Sequence, residues 1–204
     1  MNSLNEHFSN YFDKVIETLG KVDIEPVNKF IDRIYECYNK GNTIYIFGNG
    51  GSAATASHVA GDFMKGISFG LEKRFKVICL NDNIPGMTAI SNDLTYDEVF
   101  YEQLKTYLKK DDVVVGISGS GNSVNIIKAL NYAKEMGSTI VGFTGYKGGK
   151  LKDLADILIH APVSDMEITE DIHIIIFHAL KQLLNRKIKG EKFSMGFNYD
   201  RRVE

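Results

Sequence analysis

The chain has 204 residues, 44% of them hydrophobic and 25% charged, which suits one well-buried core and is short for two. Its 24 basic and 26 acidic residues leave a formal net charge of -2 and gather into no basic stripe, so electrostatics gives no reason to expect nucleic acid or an anionic membrane as partner. No apolar run approaches the roughly 18 residues that span a bilayer, and "MNSLNEHFSNYFDKV" lacks the basic start and apolar stretch of a leader, so a cytoplasmic protein is expected.

Apolar positions at helical spacing open the chain: Leu4, Phe8, Phe12, Val15, Ile16 and Leu19, then, past a break at Gly20, Val27, Phe30, Ile31, Ile34 and Tyr38. The spacing predicts two helices in a hairpin. Five short apolar runs follow, "TIYIFG", "FKVICL", "VVVGIS", "TIVGFTG" and "DILIHAP", each of strand length and rich in β-branched residues. Amphipathic segments separate them, notably 53–65, 98–109 and 123–136. Strands without polar alternate positions are covered on both faces, so the pattern predicts a doubly wound α/β domain with a mainly parallel five-stranded sheet. A long helix over Met166–Asn185 supplies Ile168, Ile172, Ile175, Ile176, Leu180 and Leu183 as apolar contacts. One domain is expected over residues 1–189, with a tail over 190–204. In the tail Phe193, Met195, Phe197 and Tyr199 alternate with small or polar residues, as in a short strand or an arm laid on a neighbouring subunit, with a disordered tail the alternative. Cys37 and Cys79 sit in apolar or periodic surroundings without metal-pair spacing and read as buried thiols.

Ligands in such folds bind at the carboxyl ends of the strands, where "GNGGS" follows "TIYIF" and "SGSGNS" follows "VVVGI". Gly48, Gly50 and Gly51 permit positive φ and close approach of a ligand, Ser52 can cap the next helix, and a helix N-terminus favours an anion. Ser118, Ser120 and Ser123 around Gly119 and Gly121 would make a neutral phosphate cradle of hydroxyls and backbone N–H groups. "GNGGSA" does not fit the dinucleotide fingerprint, and neither loop ends in the GK[ST] of a P-loop.

Taken in order, "FGNGGSAATASHVAGDF", "TAISNDLTYDEVF", "GISGSGNS", "GFTGYKGGKLKDLADILI" and "DIHIIIFHAL" resemble the sugar isomerase (SIS) domain family, and within it the phosphoheptose isomerases, over roughly residues 5 to 185. The resemblance implies an aldose–ketose isomerase acting on sedoheptulose 7-phosphate through an enediol. Its product, D-glycero-D-manno-heptose 7-phosphate, would serve heptose nucleotide synthesis for lipopolysaccharide or capsule. It further implies a homotetramer with sites between subunits. The serine loop would bind the phosphate, and Asn49, Gly51, Ser52 and Asp93 would contact the sugar or organise the pocket.

His58 and Asp62 are four residues apart and share one helix face; Glu170 and His178 are eight apart, about 80° around the last helix. If the two helices meet, these four could hold a zinc ion through nitrogen and oxygen. The resemblance implies the same, with Asp62 as the base that moves a proton between adjacent carbons and His178 serving the ring or carbonyl oxygens. His173 reads as packing, and His7 and His160 as structural or exposed.

Two residues depart from the family pattern. Asp62 stands where glutamate is usual, which withdraws the carboxylate by about 1.5 Å; Glu170 stands where glutamine is usual. The expectation is compensation: Glu170 adds its carboxylate to the metal site, and either acid could be the base. Two alternatives stay open, an isomerase for a different phosphosugar and a non-catalytic SIS protein of the replication-initiation type. Retention of Asp62 and His178 argues against the second.

Overall fold

A computed structural model describes residues 4–190. Two helices, α1 (Leu4–Lys21) and α2 (Ile24–Lys40), form the hairpin. Gly20 does not break the first one, because a single glycine costs a helix only about 1 kcal/mol. The stop comes at Asp23, whose side chain accepts a hydrogen bond from the Glu25 N–H at 3.0 Å and so starts α2. Gly41, in the left-handed region at φ 75°, ends it.

Five strands follow, β1 (Thr43–Gly48), β2 (Lys76–Cys79), β3 (Val113–Ser118), β4 (Thr139–Thr144) and β5 (Ile157–His160). All pair in parallel, in the order β2-β1-β3-β4-β5. The two-residue period of the strands sorts the core into two layers. Ile44, Ile46, Val113, Val115, Val141 and Phe143 face α1, α2 and the last helix, α8 (Met166–Lys189). Tyr45, Phe47, Val114 and Ile140 face the opposite layer, which carries α5 (Tyr101–Tyr107) and α6 (Val124–Glu135).

The remaining helices are α3 (Gly51–Gly61), α4 (Ile84–Asp93) and the single turn α7 (Leu151–Leu154). Helix α3 passes directly into a π-helical turn over Asp62–Ile67. The segment expected to be helical from residue 98 starts at Tyr101, after a 3-10 turn over Tyr96–Glu98. Periodicity did not reveal α4, which buries no residue and so has no apolar stripe to read. The arm or strand expected over Phe193–Tyr199 lies outside the described residues. Both thiols are buried and unpaired. Among the described residues, no helix is long and apolar enough to cross a membrane.

The chain leaves β1 towards β2 on one side and returns to place β3 on the other. The connections therefore diverge above the carboxyl ends of β1 and β3, opening the crevice in which this class of sheet takes ligands.

Beneath that crevice lies His173, 1% exposed, with Nε2 3.2 Å from the Thr144 carbonyl oxygen and its ring edge-on to Phe143. Burial pushes its imidazole from the ordinary 6.5 down to about 4. The unfolded chain thus takes up this proton at a higher pH than the folded one, and stability falls as pH drops from 6.5 towards 4, by at most about tenfold in the folding equilibrium per pH unit. His173→Leu should flatten this part of the pH dependence, read as Tm between pH 7 and 4.5; parallel curves for the two proteins would assign the dependence to other groups.

Candidate active site

The first loop leaves β1 at Gly48 and turns through Gly50, at φ 56°, into α3. Ser52 does not cap this helix: Gly50 holds the N-cap position, and Ser52 lies buried within the first turn. It is there because Gly48 has no side chain; a Cβ at that position would stand 2.7 Å from the Ser52 Cβ.

The second loop leaves β3 at Ser118. The Ser118 and Ser123 hydroxyls are 3.1 Å apart, and Ser120 Oγ accepts from the Asn122 N–H at 3.2 Å. A neighbouring glycine turn locks the loop in place. Gly145 N–H donates to the Gly119 carbonyl at 2.8 Å, Leu151 N–H donates to the Gly121 carbonyl at 3.0 Å, and a Cβ on Gly121 would meet the Gly148 carbonyl oxygen at 2.0 Å.

The two loops are tied by amides. Asn49 and the buried Asn125 exchange hydrogen bonds at 3.0 Å in both directions, and the Tyr96 hydroxyl donates to Asn49 Oδ1 at 2.8 Å. Sequence reasoning singled out neither Asn125 nor Tyr96. Asn125 stands two residues past the serine loop, a placement that could have marked it; nothing local marks Tyr96.

Between the loops is a cleft of about 280 Å³, lined by Asn49, Gly51, Ser52, Ser118, Gly119, Ser120, Ser123 and Glu170 among others. Every expected phosphate or sugar contact lines it except Asp93, which ends α4 exposed and accepts from the Asn92 amide at 2.8 Å. Glu170 reaches in from α8. A Cβ on Gly51 would stand 2.2 Å from Glu170 Oε2, so the carboxyl occupies the space this glycine leaves. It accepts the Ser52 backbone N–H at the start of α3; its pKa is nonetheless raised, by burial first and then by Glu167 and Asp171.

Further along the same two helices, His58, Asp62 and His178 form a group whose ligand atoms lie within 4.8 Å of one another. The two Nε2 atoms are 2.9 Å apart, and His58 Nε2 is 3.4 Å from Asp62 Oδ2. Two imidazole nitrogens and a carboxylate oxygen are the donor set of a divalent transition-metal site with open positions, and the group could hold such an ion. Partial burial, with His58 next, holds the His178 pKa below its ordinary value, which favours the neutral, ligating form.

Glu170 is not in this group, contrary to the four-ligand expectation. Eight residues separate it from His178, an axial rise of about 12 Å, and its carboxyl is engaged at Gly51 and Ser52. What stands beside Asp62 instead is Lys181, whose ammonium pairs with Oδ1. Lys181 is three residues after His178, a spacing that puts both on one face of α8.

A doubly wound sheet, two glycine loops at its switch point and a histidine–carboxylate group at the rim are the arrangement that the resemblance to the sugar isomerase (SIS) domain implied. Residues 7–145 match that domain, and the chain belongs to the SIS family. It is 38% identical over 181 residues, 87% of this chain and 97% of the relative, to the probable phosphoheptose isomerase of Thermoplasma acidophilum. With the phosphoheptose isomerase of Clostridium acetobutylicum it shares 35% identity over 170 residues, covering 83% of this chain and 86% of the relative. Among solved structures, the phosphoheptose isomerase GmhA from Neisseria gonorrhoeae superposes with a TM-score of 0.82 at 31% identity, over 90% of this chain and 99% of that one.

Proposed function

We propose that the protein is a phosphoheptose isomerase, converting sedoheptulose 7-phosphate to D-glycero-D-manno-heptose 7-phosphate for heptose nucleotide synthesis, in the cytoplasm. The observation that carries this reading is that α3 and α8 each contribute to two chemically different places. Ser52 and Glu170 line the hydroxyl-rich cleft, while His58, Asp62 and His178 stand a few turns away. The cleft suits the phosphate and the histidine group suits the reacting carbons, with room between them for a sugar chain.

Asp62 takes the proton from C1 of the ketose and returns it to C2, and the 1,2-enediol lies between the two steps. His178, neutral, carries the hydroxyl proton between O1 and O2. A divalent ion held by His58, Asp62 and His178, zinc in our reading, would supply Lewis-acid stabilisation of the developing oxyanion. The Asn49–Asn125–Tyr96 network holds the sugar-facing loop in register with the serine loop. Glu170 belongs to the phosphate cleft in this assignment, where its ionised form, already disfavoured by burial and by Glu167 and Asp171, would oppose the charge of the phosphate.

Helix α1 supports a multi-subunit protein. Phe8, Phe12 and Ile16 recur every four residues and are 57%, 59% and 67% exposed, an apolar stripe of the kind that marks a contact surface. We assign it to the homotetramer interface; the exposure of Asp93 fits a site completed by a neighbouring subunit. Phe12→Glu combined with Ile16→Glu should reduce the mass in solution to that of a smaller species by light scattering, and an unchanged mass would place the interface elsewhere.

The direct test is to follow sedoheptulose 7-phosphate by NMR, with the protein once chelated and once supplied with zinc. Zinc-dependent appearance of the aldose is expected, and Asp62→Asn should lower kcat by about 10²- to 10⁴-fold. No product from folded, zinc-supplied protein would sink the assignment. Glu170→Gln should lower KM severalfold by removing the opposing charge while leaving zinc affinity within about twofold; a loss of zinc affinity would return Glu170 to the metal site.

A further inference from the structure

The ammonium of Lys181 pairs with the same carboxylate that the histidine group would offer to a metal ion. It pairs with Asp62 Oδ1, while Oδ2 lies 3.4 Å from His58 Nε2, so one carboxylate is shared between a side-chain cation and the imidazole pair. The pair is sheltered: the Lys181 side chain is 12% exposed and that of Asp62 20%. A sheltered ammonium needs a partner anion, and a sheltered carboxylate needs a cation. Asp62 is also well fixed. It begins the π-helical turn Asp62–Ile67, and its backbone N–H donates to the His58 and Val59 carbonyls, so the end of α3 fixes where its Cα stands relative to α8.

We propose that Lys181 is a resident cation for Asp62, one that competes with a divalent ion for this carboxylate and thereby sets the affinity of the His58–Asp62–His178 group for metal. The inference rests on the reading of that group as a metal site. For an ion to bind, the ammonium must leave the carboxylate or tolerate a dication beside it. The two histidines must also turn both Nε2 lone pairs inward, giving up the contact that now joins them at 2.9 Å. Lys181 is thus a positioning residue: with no ion bound it keeps the Asp62 carboxylate oriented, and with an ion bound it weakens the hold on that ion.

Removing the ammonium while keeping the stem isolates this role. Lys181→Met should bind zinc about tenfold more tightly than the unaltered protein, the factor for a pair between the exposed and buried limits. Lys181→Arg should stay within about threefold of it. Titration calorimetry with zinc and the visible absorption of bound cobalt both read this without turnover. Equal or weaker binding by a folded Lys181→Met protein would overturn the proposal. If that variant does not fold, the same comparison between Lys181→Gln and Lys181→Arg decides it, with the Gln variant expected to bind tighter. Failure of all these proteins to bind either ion would overturn both the proposal and the metal reading. An affinity shift as expected, from a protein that does not turn over sedoheptulose 7-phosphate, would overturn the isomerase assignment and leave the role of Lys181 standing.

Discussion

The close approach of α3 to α8 is the constraint on which the candidate site depends. Helix α3 is built almost wholly from small residues, "GSAATASHVAG", of which Ser52, Thr55, Ala56, Val59 and Ala60 are buried. Small buried side chains let the helix axes come near, and dispersion across a void-free contact favours that distance. Three juxtapositions follow from it. The Glu170 carboxyl fills the space beside Gly51, the rings of His58 and His178 meet at their Nε2 atoms, and Lys181 reaches Asp62. A larger residue at Gly51 would set the N-terminal ends of the helices apart and disturb the more distant contacts through the same rigid pair.

The sheet supplies the second half of the arrangement. Because β1 and β3 are neighbours whose connections run to opposite sides, both glycine loops open at one edge of the sheet. Their backbones are held from behind, by Gly145 on Gly119, by Leu151 on Gly121 and by the amide pair of Asn49 and Asn125. The serine hydroxyls thus stand on a preorganised frame. That frame suits an anion bound by neutral donors, which must already be in place because, among the described residues, no lysine or arginine lines the cleft to draw the anion in.

Charge is distributed unevenly between the two ends of the site. In the cleft, Glu170 sits close to Glu167 and Asp171, and burial together with these neighbours disfavours its ionised form. At the histidine group the balance is reversed: Asp62 faces an ammonium and two imidazoles. The two acids that depart from the family pattern therefore meet opposite environments.

The strand runs, the hairpin and the two loops were legible because each is a local matter. A two-residue or 3.6-residue period, a glycine turn and a cluster of hydroxyls are all written in consecutive residues. The line of His58 and Asp62 on one helix, and of Glu170 and His178 along another, was legible for the same reason. What the sequence left open was how far apart those stripes end up in three dimensions. An angle of about 80° on a helical wheel made Glu170 and His178 look like partners, but the rise of about 12 Å between them and the empty space at Gly51 sent the carboxyl elsewhere. Lys181, Tyr96 and Asn125 enter the site only through tertiary contacts, and α4 buries no side chain from which a pattern could arise. By itself, then, the sequence determined the doubly wound fold, the two loops and the histidine–carboxylate helices. Only the docking of α8 on α3 decided which acid joins the histidines and which joins the serines, because that choice depends on distances between helices that no local period encodes.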